Sequence, residues 1–239
     1  MLRRVHRERV IALSGPRALL MQAAHPLAVA GLLAHSSALE EPYERLARTA
    51  QVLHAIGFGS RVEANEATRR VRAMHRKARV DDPELLMWVL FTLVDSGLVV
   101  YRTYVGGLTR DEEAAYWRDY RTVGRLFGLR ASEMPRTLAD LDDYRRSMLE
   151  GDTLVVTDWA RERARAIVLE PPVPLAARPL VETANFVTIA LLPDRIREQY
   201  EFSPLPPAFV RKAMVRAGGE YVKRAVLPLL PERVRLAPT

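Results

Sequence analysis

The sequence predicts an all-α protein of eight or more helices. Apolar residues recur with helical periodicity along almost the whole chain. Residues typical of helix starts and stops separate these segments, and no segment shows a convincing strand alternation of apolar and polar residues. The chain has 239 residues, 49% of them hydrophobic, which is enough for one large core. We therefore expect a single multi-helix domain over residues 1–239.

The first predicted helices carry an apolar segment with a break inside it. A helix is expected over residues 3–13, and Ser14 is placed to cap the next one. The apolar run over residues 18–34 is interrupted at Pro26, which breaks the helix beside His25. This interrupted run falls short of a membrane span, so we expect a buried helix.

The middle of the chain predicts three further helices. One covers residues 43–56 and ends at the glycines of GFG, and a second covers residues 63–79. The third is opened by Asp82 and contains the apolar run 85–101, whose interior residue Asp95 favours a core helix over a membrane span. A buried Asp95 needs a cation, and we expect an arginine from the first third of the chain.

The rest of the chain continues the helical pattern. Thr109 and Thr157 are placed as N-caps, and the acidic DEE after Thr109 lies where a helix dipole favours negative charge. A proline-rich link, EPPVPLAARP, precedes two further helical segments, ALLPDRIREQY and PPAFVRKAMVRAGGEYVKRAVLPLLP. These segments complete the predicted helices.

Composition and motifs exclude several kinds of chemistry. The chain has no cysteine, which excludes disulfides, thiolate metal sites, iron-sulfur clusters and a cysteine nucleophile. No HExxH, GxSxG or P-loop motif is present, and GFGSR follows a predicted helix where a dinucleotide fingerprint needs a strand. The five histidines and the arginines remain as candidate functional residues.

The positive charge is concentrated at one end of the chain. Residues 1–80 hold 14 Arg and Lys against 6 Asp and Glu, whereas the remainder holds 22 against 23. Nearly all of the cations are arginines, which suit bidentate pairing with carboxylates and phosphates. The first third should therefore bind an anion, internal or external. A nucleic-acid binder is one alternative, but these arginines are spread over apolar helices and we expect no nucleic-acid partner.

The segment RVRAMHRKARV places one histidine between arginines on a helix face. Arg72, His75 and Arg79 lie at i−3, i and i+4, so they share a side of the helix. Burial and neighbouring cations favour neutral imidazole, the form that ligates a metal. A heme would present iron to the histidine and two propionates to the arginines. The alternative is a solvated basic helix, which spacing alone does not exclude.

Several motifs in order resemble one enzyme family. RALLMQAAHPLAVAGLLAHSS, EPYERLART, the RxxHxxxR of residues 72–79, DDPELLMWV, LVDSGLVVYRTYVGGLT, YWRDYRTVGRLFGL and LLPDRIREQY are similar to the catalytic domain shared by latex clearing protein, a rubber oxygenase, and the MpaB-like oxygenases. The resemblance implies a globin-like helical core that holds heme b. It also implies oxidative cleavage of carbon-carbon double bonds in isoprenoid substrates.

The resemblance implies roles for individual residues. His75 takes the place of the proximal heme ligand, with Arg72 and Arg79 for the propionates. Arg45 and Thr49 correspond to residues that line the heme pocket. Arg48 replaces a lysine that can occupy the distal iron position, and a guanidinium is a poor iron ligand. Leu90 stands where a histidine is common in relatives.

The other histidines have alternative interpretations. His25 is either a core residue satisfied by Gln22 or a backbone carbonyl, or a distal pocket residue that donates a hydrogen bond to an oxygen ligand. His35 either caps a helix or lines the pocket. We expect His54 to pack and His6 to be exposed.

The sequence thus predicts a heme-dependent oxygenase that acts on a hydrophobic substrate, an isoprenoid or another alkene, with dioxygen. A non-catalytic or degenerate heme-binding or lipid-binding relative is the first alternative. No transmembrane segment is expected, and the expected location is the cytoplasm.

Overall fold

The computed structural model describes residues 1–33, 42–77, 81–164, 173–202 and 206–237. For residues 31–33, 42–49 and 164, it describes the backbone alone. The α-helices of the described residues are α1 (Leu2–Arg7), α2 (Ser14–Ala23), α3 (Pro26–Leu33), α4 (Pro42–Phe58), α5 (Arg61–Lys77), α6 (Pro83–Tyr104), α7 (Arg110–Phe127), α8 (Leu138–Glu150), α9 (Asp158–Ala164), α10 (Arg178–Ala190), α11 (Asp194–Tyr200), α12 (Ala208–Tyr221) and α13 (Glu232–Arg235). A turn of π-helix extends α12.

Helix α6 is the centre of the fold. Its N-cap Asp82 accepts hydrogen bonds from the backbone N–H groups of Glu84 at 2.9 Å and Leu85 at 3.2 Å, as predicted. Most of its 22 residues are buried, and it packs against α2 and α7. By length and composition it could cross a membrane, but 72% of its most apolar window is buried inside the protein. The apolar run 85–101 is therefore a core helix, as predicted.

The N-terminal segment differs from the predicted single helix over residues 3–13. Glu8 adopts an extended conformation between α1 and a 3-10 helix over Arg9–Leu13. Its buried carboxylate accepts two hydrogen bonds from Arg235, at 2.8 and 2.6 Å, and its backbone forms an isolated antiparallel bridge with Leu236. A long-range contact therefore interrupts a segment whose local pattern is helical throughout.

The break between α2 and α3 lies at Pro26, as predicted. Helix α2 ends at Ala23, and the backbone N–H of His25 donates to the carbonyl of Gln22 at 3.0 Å. Ser14 is the first residue of α2 and makes no capping hydrogen bond, so its predicted N-cap role is wrong. The α2 helix packs on α6, and Trp88 Nε1 donates to the carbonyl of Met21 at 3.1 Å.

Helix α7 has strong signals at both ends. Thr109 forms a reciprocal capping box with Glu112, and acidic residues occupy the first turn. At the other end Gly128 adopts a left-handed conformation with φ of 111°, which an L side chain rarely adopts. Both ends are therefore fixed by local chemistry that the sequence displays.

One hydrophobic cluster unites helices from both halves of the chain. It includes Val5, Met21, Trp88, Trp117, Leu154 and Tyr200. Within the described residues no strand occurs beyond the isolated bridge at Glu8. The predicted all-α fold class is confirmed.

Candidate functional site

Helix α5 carries His75 on the side that faces the protein. Ala64 and Thr68 are buried on this side, and His75 lies two turns further along and is half-buried. The Nδ1 atom of His75 is shielded from solvent. The α5 helix packs on α4 and α7, and His75 lies on its partly buried side.

Arg72 lies one turn before His75 and is exposed. Its Nε atom lies 3.4 Å from the position that a Cβ atom would occupy on Gly128, the residue that ends α7. A guanidinium at this place complements the partial negative charge of the helix C-terminus. Arg79, the other predicted propionate partner, lies outside the described residues.

The other pocket residues implied by the resemblance belong to α4. Arg45, Arg48 and Thr49 all fall within this helix, and their side chains lie outside the described part of the structure. Helix α4 packs on α5, the helix of His75. The fold therefore brings the two helices together, while the roles of the three residues remain predictions.

His25 is buried between α2 and α3, with 2% of its surface exposed. The backbone N–H of Leu27 donates to its Nδ1 at 3.3 Å, so the ring proton resides on Nε2. Nε2 has no hydrogen-bond partner among the described residues and lies 3.8 Å from Glu84 Oε1. Burial lowers the pKa of His25, while the nearby carboxylate of Glu84 opposes that shift. His25 is therefore neutral near pH 7 with a buried donor available.

The suggested core partners of His25 do not bind its ring. Gln22 donates instead to the hydroxyl of Thr92 at 3.0 Å. The His25 ring packs beside Trp88, which stacks on Phe91 at a centroid distance of 5.4 Å. The buried ring of His25 thus lies next to the stacked aromatic rings of Trp88 and Phe91, with Trp88 in contact with it.

Leu90 occupies a tight contact between α6 and α7. It is buried, and its Cδ2 lies 2.8 Å from the position of a Cβ atom on Gly124. The Sδ atom of Met134 lies 2.6 Å from that same position. Leu90 therefore serves the packing of two helices.

Two of the remaining histidines have defined surroundings. The prediction that His6 is exposed is wrong. It is half-buried and forms hydrogen bonds with the hydroxyls of Tyr116 at 3.0 Å and Tyr120 at 2.9 Å. Burial lowers its pKa to about 4, so it is neutral at pH 7. His54 is exposed and stacks on Phe58 at 5.2 Å. His35 lies outside the described residues.

Asp95 has the partner that the charge distribution predicts. Arg17, only 1% exposed, donates from Nη2 to Asp95 Oδ2 at 2.7 Å. The same guanidinium donates to the hydroxyl of Ser96 at 2.7 Å and to the carbonyl of Leu191 at 2.8 Å. The prediction of an arginine from the first third is confirmed, and Asp95 has a structural role.

The donor set around α5 is compatible with a heme. No group of three or more His, Asp or Glu side chains that could hold a metal ion occurs in the described ranges. A heme would need one imidazole for its iron rather than such a group, and His75 is a half-buried imidazole on α5. Two further polar residues were not predicted as site residues. Glu84 lies 3.8 Å from His25 Nε2, and the buried hydroxyl of Tyr144 has no hydrogen-bond partner among the described residues.

Comparison with known proteins identifies the family. The family described as ER-bound oxygenase mpaB/B′/Rubber oxygenase, catalytic domain, matches residues 3–224. Neither the curated proteins nor the solved structures contain a significant match to the chain. Because the match covers nearly the whole chain, the protein belongs to the mpaB and rubber oxygenase catalytic-domain family.

Proposed function

We propose that the protein is a heme b-dependent oxygenase that acts on a hydrophobic substrate with dioxygen. Membership of an oxygenase family supports the reaction class. The half-buried position of His75 on the inner side of α5 is the observation that carries the cofactor assignment. An isoprenoid or another alkene is the substrate class that we propose, and a cytoplasmic location stays a prediction.

His75 would hold the iron, and Arg72 and Arg79 would bind the propionates. Arg45, Arg48 and Thr49 would line the pocket from α4. When bound, heme supplies the redox centre that activates dioxygen. The protein would supply the imidazole for the iron from His75 and positive charge for the propionates from the two arginines.

His25 would act as a hydrogen-bond donor to an oxygen atom in the pocket. Its Nδ1 accepts from Leu27, which fixes the proton on Nε2. The lowered pKa keeps the ring neutral, so it donates a hydrogen bond without adding a charge. Trp88 lies beside His25, and Phe91 stacks on Trp88. This aromatic pair would contact an apolar substrate.

A heme-binding protein without oxygenase activity is the second candidate. It would keep the fold and His75 but lack an open iron position. Leu90, which stands where the resemblance implies a histidine and packs against Gly124, supports instead a degenerate relative that has lost heme. The nucleic-acid alternative loses support, because Arg4 and Arg17 of the basic first third pair with Glu112 and Asp95.

Substitution of His75 tests the cofactor assignment. Wild-type protein produced with ample iron should purify with a Soret band, and His75→Ala should lose or strongly shift it. Circular dichroism should show unchanged helical content, because His75 adds little to the hydrophobic core. His54→Ala is the matched control, since His54 is an exposed histidine on the neighbouring helix.

An unchanged Soret band in His75→Ala would place the iron ligand elsewhere, with His25 as the next candidate. If wild-type protein takes up no heme, the cofactor assignment is wrong. Carbon monoxide added to the reduced protein separates the two candidate functions: a spectral shift indicates an open iron position, and no shift favours the non-catalytic protein.

A further inference from the structure

Three arginines of α7 line one cavity. Arg118, Arg121 and Arg125 follow each other at spacings of three and four residues, so they share one side of the helix. Together with Met134 they line a cavity of about 200 Å³. This volume is below the roughly 300–1,000 Å³ of a pocket for a drug-sized ligand, so the cavity suits a small group.

None of these three arginines forms an ion pair with a carboxylate of the described residues. Arg121 donates from Nη1 to the carbonyl of Arg136 at 3.3 Å, and Arg125 donates from Nη2 to the hydroxyl of Thr122 at 3.1 Å. The Nε atom of Arg121 is buried and has no hydrogen-bond partner in the described chain. The cavity thus holds a shielded cationic donor that lacks an acceptor.

The nearest acidic neighbour in sequence is already engaged. Asp119 accepts hydrogen bonds from the N-terminal amine at 2.7 Å and from the backbone N–H of Leu2 at 2.8 Å. These bonds, together with the charge of Arg118, hold the pKa of Asp119 below its ordinary value against the opposing effect of burial, so it stays ionised. The carboxylate of Asp119 therefore pairs with the N-terminal amine and does not line the cavity.

Three like charges around one small cavity repel each other, and an anion relieves this repulsion. Guanidinium groups present planar sets of N–H donors that match the oxygens of phosphate. A buried Nε–H without an acceptor is unfavourable until a ligand oxygen accepts its hydrogen bond. We propose that the cavity bounded by Arg118, Arg121, Arg125 and Met134 binds a phosphate group, either free phosphate or the phosphate of a lipid headgroup.

Calorimetric titration with inorganic phosphate at constant ionic strength tests this site. Wild-type protein should show saturable binding that weakens as sodium chloride is added, because salt screens the attraction. Arg121→Gln should weaken binding about tenfold or more, since it removes a charge-assisted hydrogen bond in a shielded position. Arg69→Gln should leave binding unchanged, because Arg69 is an exposed residue of α5 that does not line the cavity.

Vesicles distinguish the two sources of phosphate. Co-sedimentation with phosphatidylcholine vesicles that contain phosphatidic acid, and its loss in Arg121→Gln, would identify a lipid headgroup as ligand. Calorimetric binding without co-sedimentation would identify free phosphate. The proposal is wrong if wild-type protein binds neither probe, or if Arg121→Gln and Arg125→Gln bind both as well as wild type does. Neither measurement depends on heme, so failure of this proposal leaves the proposed function untouched.

Discussion

Two sets of arginines in this protein differ in whether they form ion pairs: Arg4 and Arg17 are the paired set, and Arg121 and Arg125 are the unpaired set. Residues 1–80 have an excess of cations in the sequence, yet Arg4 pairs with Glu112 and Arg17 with Asp95, so later carboxylates compensate them in the fold. Arg121 and Arg125 lie where the sequence is nearly balanced, yet neither forms an ion pair within the described residues. Balance along a sequence therefore does not predict balance in space. Paired arginines stabilise the fold, whereas unpaired ones are available to ligands.

The largest expected effect is in the paired set. Arg17→Met should lower the free energy of unfolding by about 3–5 kcal/mol, because it leaves the carboxylate of buried Asp95 without its main partner. Urea denaturation measures this loss. The double variant Arg17→Met/Asp95→Leu should recover much of the stability, since it removes both buried charges. A loss below about 1 kcal/mol in the single variant would show that Arg145, 3.3 Å from Asp95, suffices as partner.

The next largest loss of stability should come from Gly97, which lies on α6 two residues after Asp95. A Cβ atom on Gly97 would lie 2.5 Å from the hydroxyl oxygen of Tyr116, which is fully buried. Gly97→Ala should therefore cost roughly 1–3 kcal/mol of unfolding free energy through overpacking. In a Tyr116→Phe background the oxygen is absent, and alanine should be tolerated because it favours helix over glycine. Equal costs in both backgrounds, measured by thermal or urea denaturation, would contradict this origin.

His6 is, like Arg17, a basic residue with defined partners, but these partners are the neutral hydroxyls of Tyr116 and Tyr120, and its charge depends on pH. Its folded pKa of about 4 lies below the ordinary 6.5, so the unfolded chain takes up a proton in this interval and the folded protein does not. Stability should therefore fall as the pH decreases from 6.5 to 4, by at most about 1.4 kcal/mol per pH unit. His6→Gln removes this titration. Between pH 5 and 6.5 its stability should vary less steeply than that of wild type, and equal slopes would contradict the shift.

The smallest effect should come from the unpaired set. Arg125→Gln, already proposed as a ligand-site variant, should change the unfolding free energy by less than about 0.5 kcal/mol, because it removes no ion pair of the described residues. Urea denaturation without phosphate provides the comparison with Arg17→Met. A loss as large as that of Arg17→Met would give Arg125 a structural role and remove the contrast between the two sets.

Much of the fold can be predicted because its signals are local. Asp82 and Thr109 cap the helices that follow them, and the hydroxyl of Thr157 accepts from the backbone N–H of Ala160 at 3.2 Å. Two of the failures have different causes. Glu8 leaves the helix because Arg235 binds it from the other end of the described chain, which no local pattern displays. Ser14 has the right residue type for a cap, but the preceding 3-10 helix runs directly into α2.

The candidate site is only partly predictable for a similar reason. His75 is predicted as a site residue because the spacing of RxxHxxxR places it on one side of a helix with arginines, and because this motif resembles one of the family. The cost of burying a charge predicts an arginine partner for Asp95, and the structure identifies that arginine as Arg17. Arg121 cannot be found this way, because arginines at helical spacing are common on solvated surfaces. Its distinction is an unpartnered buried atom, which depends on three-dimensional packing.

The contact between Glu8 and Arg235 has a consequence for protein synthesis. The two residues are separated by 227 positions, so the ribosome makes the carboxylate long before its partner. At about 5–20 residues per second, the delay is roughly 10–45 s. During that interval Glu8 cannot reach its native, shielded environment without an uncompensated charge. The first turns of the nascent chain can therefore gain the contact with Arg235 only after the 227 positions between the two residues have been translated.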